Sequence, residues 1–353
     1  MLTQIRPQHK DKTVTQIKSD FMDDFSNFKA EKPEVHDGNF FARRTIETKT
    51  LRKLSFLAGS AVLLYVFIQN VLFILVELFG FMELYKNNYL FSGGIDILMT
   101  VLGVFVPFTL VGRKMKSISG EKEPVLSEAP NNFMLLLFGT LGATGCVMLS
   151  NIFSSYITYF ISLIGYELSA PDINMPEGVF GFLLSMLRIS VLTAIVEEYA
   201  LRGHVLGNLR KYGDTYAVLM SAAIFSLMHG NLIQVPYAML SGVALGIFTL
   251  KTKSIWPAVV AHAIGNGLSV ATTYLIKIIG EETAMLLYSY AMYVLIFIGL
   301  VATFIFAFST KDRPLRKSES VLKPIEKLYH FLFTPPTFAA FLIMLFITAK
   351  SVS

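Results

Sequence analysis

The chain has 353 residues, of which 54% are hydrophobic, 13% aromatic and only 16% charged, with a net charge of +5 and a mean hydropathy of +0.57. Soluble domains carry about 25% charged residues, so a soluble enzyme, a disordered chain and a fibrous protein are all disfavoured, and the modest positive charge does not suggest nucleic-acid binding. What remains is an all-α, polytopic membrane helical bundle. Cys146 is the one cysteine, so neither an intrachain disulfide nor a Cys-based zinc site is available.

Residues 1–53 read as a polar, charge-mixed cytoplasmic arm with no apolar run near Met1 of the kind a cleavable signal peptide needs. Phe21, Met22, Phe25 and Phe28 recur at near-helical spacing and predict a short amphipathic helix on the membrane surface. A membrane helix needs about 20 apolar residues. By that measure the chain predicts eight spans: 54–76, 94–112, 132–160, 178–201, 216–234, 236–250, 255–278 and 284–309. A ninth apolar stretch, 328–349, is interrupted by Pro335-Pro336 and either spans or bends in the interface. The chain thus divides into the arm at 1–53, N-terminal membrane helices at 54–160, a second group of helices at 178–309, and a basic linker with an apolar segment at 310–353.

Every second loop is basic. Arg43, Arg44, Lys49, Arg52 and Lys53 precede the first span, and Arg113, Lys114, Lys116 and Lys122 follow the second. Arg202, Arg210 and Lys211 follow the fourth, Lys251 and Lys253 the sixth, and Lys311, Arg313, Arg316 and Lys317 the eighth. The alternate loops carry acidic residues, among them Glu77, Glu83, Glu167, Asp172, Glu177, Glu281 and Glu282. Basic loops stay on the cytoplasmic side, which predicts a multi-pass protein embedded in the lipid bilayer with its N-terminus inside.

Ionisable residues within membrane helices cost about 2.5–3.5 kcal/mol each on insertion scales and mark function by default. Glu197, Glu198 and Arg202 close the fourth span, His229 lies in the fifth, and His262 and Asn266 lie in the seventh. Glu198 and Arg202 are four apart and share a helix face, so they can pair. Glu197 is rotated about 100° away and can point into the bundle. Phe225 precedes His229 by one turn, and His262 and Asn266 share a face. Each feature has a plain structural alternative: an interfacial salt bridge, a satisfied interhelical histidine, or an asparagine that joins helices. Their joint occurrence on three helices argues for one polar cavity. Gly242 and Gly246 suit close helix packing. Arg188 needs a partner that the sequence does not identify, and His204 reads as part of a cytoplasmic turn. His9, His36 and His330 carry no expected role. One tension stands: Glu197 reads as near the cytoplasmic end of its span, yet His229 lies too far beyond Thr215 to sit level with it. Either the fifth span begins later or residues 203–218 run along the surface.

The run Glu197-Glu198-x-x-x-Arg202-Gly203, then Phe225-x-x-x-His229, then His262-x-x-x-Asn266, resembles the three motifs of the CAAX protease and bacteriocin-processing (CPBP/Abi) family of intramembrane endopeptidases. The likeness covers roughly residues 180–270, so it would make 178–309 the protease core. It implies that Glu197 and His229 activate a water for attack on a peptide carbonyl and that His262 and Asn266 stabilise the oxyanion, with Glu198, Arg202 and Phe225 in support. The residue chemistry agrees: a carboxylate and an imidazole can act as general base, and an oxyanion donor is worth about 2.7–4 kcal/mol. The competing account of the same residues is zinc held by Glu197, His229 and His262 with a water fourth. A His-Glu-x-x-His spacing is missing and Asn is a poor zinc ligand, so a site without cofactor is preferred. The expected substrate is a membrane-delivered protein or peptide, lipidated or not. A non-proteolytic immunity or scaffold protein and a transporter remain the alternatives from other classes.

Overall fold

The computed structural model describes residues 38–121, 126, 130, 132–168, 175 and 178–352. The expected helix around Phe21–Phe28, His9, His36, Lys122, Asp172 and Glu177 lie outside the described residues. The chain divides into two units, Met1–Thr45 and Ile46–Ser353.

The described residues form a helical bundle: α1 (Gly38–Leu78), the short α2 (Met82–Asn87), α3 (Tyr89–Ser119), α4 (Phe133–Leu163), α5 (Gly178–Tyr212), α6 (Asp214–Met228), α7 (Gln234–Thr252), α8 (Trp256–Ile279), α9 (Glu281–Ser309), α10 (Pro324–Leu332) and α11 (Pro335–Ala349). Seven of these, α1, α3, α4, α5, α7, α8 and α9, are long and apolar enough to cross a membrane. The pair α10–α11, bent by 79°, makes an eighth if counted as one span. Large apolar side chains face outward, Phe297 at 71% and Phe304 at 66% exposure among them. In water such a surface would aggregate; against lipid it is the favourable one. The protein is an integral, multi-pass membrane protein.

The helix boundaries around the polar residues differ from the sequence expectations. The fourth span does not stop at 201. Helix α5 continues to Tyr212, and Arg202 to Leu209 are buried in protein along it. Hydropathy ends a span at charged residues because it assumes lipid around them, whereas protein surrounds these. His204 is therefore inside a helix at 5% exposure, not in a turn, and residues 203–218 do not run along the surface. The fifth span, expected at 216–234, is the 15-residue α6, which ends at Met228. Gly230 adopts a positive φ of 58°, a conformation that glycine takes without a Cβ penalty, and the chain turns through Asn231 into α7. Finally, Glu197 is not near a helix end. It and His229 each lie roughly 20 Å of helix from the Gly213 turn that joins α5 to α6, so the two residues come level and the depth tension disappears.

Two stretches of α5, Met186–Leu192 and Tyr199–Leu206, are π-helical and flank the α-helical Thr193–Glu198. Such bulges leave backbone carbonyls open to side chains and occur often at functional sites. Here Thr193 Oγ1 donates to the Arg188 carbonyl at 3.0 Å and Asn266 Nδ2 to the Ile189 carbonyl at 3.1 Å.

Helices α4 and α9 meet backbone to backbone. A Cβ placed on Gly145 would come within 2.5 Å of Gly299 Cα. Close approach through small residues is a main source of helix association in lipid. Gly145→Val is expected to destabilise the bundle by about 1–3 kcal/mol or more, because a packed interior resists added volume. Thermal melting in detergent would measure it, and an unchanged midpoint would contradict the contact.

Candidate active site

Glu197, His229, His262 and Asn266, carried by α5, the end of α6 and α8, all line one cavity of about 790 Å³. Its wall also includes Arg188, Thr193, Gln234, Tyr237 and Ser269, so it is a polar chamber inside an apolar bundle.

The two glutamates take different environments. The Glu197 side chain is 22% exposed to the cavity, and its Oε2 lies 3.8 Å from His262 Nε2. The Glu198 side chain is fully buried. Its Oε1 accepts from Arg202 Nη1 at 2.9 Å and from His262 Nδ1 at 2.9 Å. The Glu198–Arg202 pair is the one expected from their spacing. The link from Glu198 to His262 has no counterpart in the sequence reading, because it joins two helices. Arg202 is held further by the Gly242 carbonyl at 3.3 Å and by the Phe225 ring face, 4.4 Å from its guanidinium carbon. Stacking of a guanidinium on an aromatic face is favourable and stronger when dry. Gly242 is needed there: an added Cβ would lie 3.0 Å from Ala222 Cβ and 3.3 Å from Arg202 Nη2. At Gly246 the same atom would press on Leu206 and Val218 at 3.2 Å, so both glycines serve close packing.

Hydrogen-bond partners settle the imidazole tautomers. His229 Nδ1 lies 2.8 Å from the Phe225 carbonyl. A carbonyl only accepts, so Nδ1 carries the hydrogen and Nε2 is left as an acceptor. Phe225 meets the His229 ring edge-on at 4.8 Å and the His262 ring at 5.7 Å, wedging the two apart. His262 Nδ1 likewise donates to the Glu198 carboxylate, which leaves Nε2 towards Glu197. Asn266 has two amide hydrogens; one goes to Ile189 and the other remains for a ligand.

Among the described residues, no group of three or more His, Cys, Asp or Glu side chains is gathered to hold a metal ion. Glu197, His229 and His262 therefore do not form a three-ligand set as placed.

Several residues at the site escaped the sequence reading. Tyr65 of α1 donates to the Met228 carbonyl at 3.2 Å, next to His229. Its polar tip in the middle of an apolar span was the available signal. Tyr237 reaches the cavity wall from the start of α7. The partner of Arg188 is Asp96 of α3, which also accepts from the Tyr85 hydroxyl at 3.1 Å. This cluster lies on the cavity wall, and Asp96 and Tyr85 sit on helices that no motif marks.

The fold and the cavity define a polytopic membrane protein with a buried carboxylate–imidazole site. Residues 179–268 match the family model described as Type II CAAX prenyl endopeptidase Rce1-like. The match contains Glu197, His229, His262 and Asn266 and agrees with the motif resemblance. No curated protein and no solved structure matches the chain.

Proposed function

We propose that the protein hydrolyses a peptide bond of a membrane-delivered protein or peptide, with a water activated by Glu197 and His229 and an oxyanion held by His262 and Asn266. The observation that carries this reading is the convergence of all four side chains on one polar cavity. His229 Nε2 is the acceptor for a water proton, and the Glu197 carboxylate polarises the same water. Attack on the scissile carbonyl places negative charge on its oxygen. The Nε2–H of His262, whose ring is oriented by the Nδ1–H bond to Glu198, and the second amide hydrogen of Asn266 stabilise that charge. The proton taken from water then passes to the leaving amine. The chain's own residues supply base and donors, which supports a mechanism without metal.

Incubation of the purified protein with a peptide library that includes prenylated C-terminal peptides tests the reading. Cleavage that disappears in Glu197→Ala supports it. Zinc bound stoichiometrically, with activity lost to a chelator and restored by zinc, would replace it with the metal-dependent version. Asn266→Ala is expected to lower turnover by about 10²–10³-fold and to leave the shape of the pH–rate profile unchanged, because an amide does not titrate at these pH values. Full turnover in that variant would reduce Asn266 to a brace for the Ile189 carbonyl.

We also propose that the N-terminus is cytoplasmic, on the strength of the basic-loop alternation. In a Cys146→Ser background, cysteines at Lys253 and Glu281, at opposite ends of α8, should react with an impermeant label from opposite faces, Lys253 from inside. The reverse pattern would invert the topology.

A further inference from the structure

Away from the active-site cavity, and sharing no residue with it, a groove of about 500 Å³ opens where α1, α3 and the α10–α11 elbow meet. Arg52, Lys53 and Lys114 stand around it. All three are exposed, and among the described residues their side chains have no ion pair or hydrogen-bond partner. Among the described residues, no acidic side chain lines the groove. The floor is apolar, made by Phe56, Leu57 and Ile118. Phe56 remains 49% exposed.

The position along the chain fixes the depth. Arg52 and Lys53 come immediately before the apolar run of α1, and Lys114 comes just after the apolar run of α3. The three cations therefore stand at the edge of the hydrocarbon layer, at the level of lipid phosphates; Phe56 and Leu57 lie one turn deeper, and Ile118 one turn towards the aqueous side. The third wall is rigid. Ser55 hydrogen-bonds to Phe331, to Thr334 Oγ1 at 2.8 Å and to Thr337 Oγ1 at 2.9 Å, and Thr337 Oγ1 donates back to the Ser55 carbonyl at 2.7 Å. This knot holds the 79° elbow against α1. It keeps Thr334 and Pro335 in place at the groove.

We propose that this groove is a binding site for an anionic phospholipid. Its phosphate is received by Arg52, Lys53 and Lys114 and the start of an acyl chain by Phe56 and Leu57. The guanidinium presents paired donors to phosphate oxygens, and the ammonium groups add point charges. Charge complementarity selects the occupant: a zwitterionic lipid would bring its own cation into a site that already holds three.

The test is native mass spectrometry of the full chain in detergent, titrated in parallel with phosphatidylglycerol, phosphatidylcholine and glycerol 3-phosphate. Phosphatidylglycerol should be retained in preference to phosphatidylcholine. Lys114→Gln should weaken its retention about fivefold, and the triple variant Arg52→Gln/Lys53→Gln/Lys114→Gln on the order of a hundredfold. A control that removes equal charge elsewhere, Lys211→Gln/Lys311→Gln/Lys317→Gln, should retain the lipid as the wild type does. Equal retention of both phospholipids by the wild type, or an equal loss in the control, would overturn the proposal. Glycerol 3-phosphate binding as tightly as the lipid would replace it with a simple phosphate site. Because the three cations have no protein partner, the melting midpoint without added lipid should not change, which separates lost binding from lost folding.

Discussion

Glu198→Ala is expected to cost about 3–5 kcal/mol of stability, the range for breaking a buried ion pair by removing one partner. The loss would appear as a lower thermal midpoint in detergent. Both side chains of the Glu198–Arg202 pair are fully buried. Without the carboxylate, the guanidinium keeps only the Gly242 carbonyl at 3.3 Å and the Phe225 ring, and a buried cation so poorly paired is costly. The same change removes the acceptor of His262 Nδ1, so the imidazole loses its orientation and activity falls with stability. Glu198→Gln keeps an amide oxygen in the acceptor's place and should fall between Ala and wild type. Glu198→Ala/Arg202→Met removes the orphaned charge and should recover part of the stability but not the activity. A double variant no more stable than the single one would show that the cost does not come from the unpaired arginine.

Glu197→Gln is expected to behave in the opposite way. Peptide cleavage should fall by about 10²–10⁴-fold, the usual worth of a positioned general base, with the thermal midpoint almost unchanged. The amide is the same size but cannot accept the proton of a water. Glu197 faces the cavity, and its contact with His262 is a long one of 3.8 Å, so little packing depends on it. A kinetic comparison of the two variants on one cleavable peptide separates a chemical role from a structural one. Similar stability losses with partial activity in both would remove the division of labour between adjacent glutamates.

Much was legible in the sequence. Low charge and long apolar runs established a polytopic helical membrane protein, because the cost of placing polar groups in lipid is a property of each segment alone. The spacing of Glu198 and Arg202 forecast their pair, since contacts within one helix depend only on its period. The order of the three polar motifs pointed to a protease family that the match over residues 179–268 also gives. Other features depended on which helix lies beside which. The extension of α5 to Tyr212 and the stop of α6 at Met228 escaped a hydropathy reading, which takes lipid as the surroundings of every span. The carboxylate shared between Arg202 and His262, the Asp96 partner of Arg188 and the Tyr65 brace beside His229 all cross between helices. A charged group buried in a membrane must find its counterpart wherever the packing places it, so the tertiary structure decides those pairings.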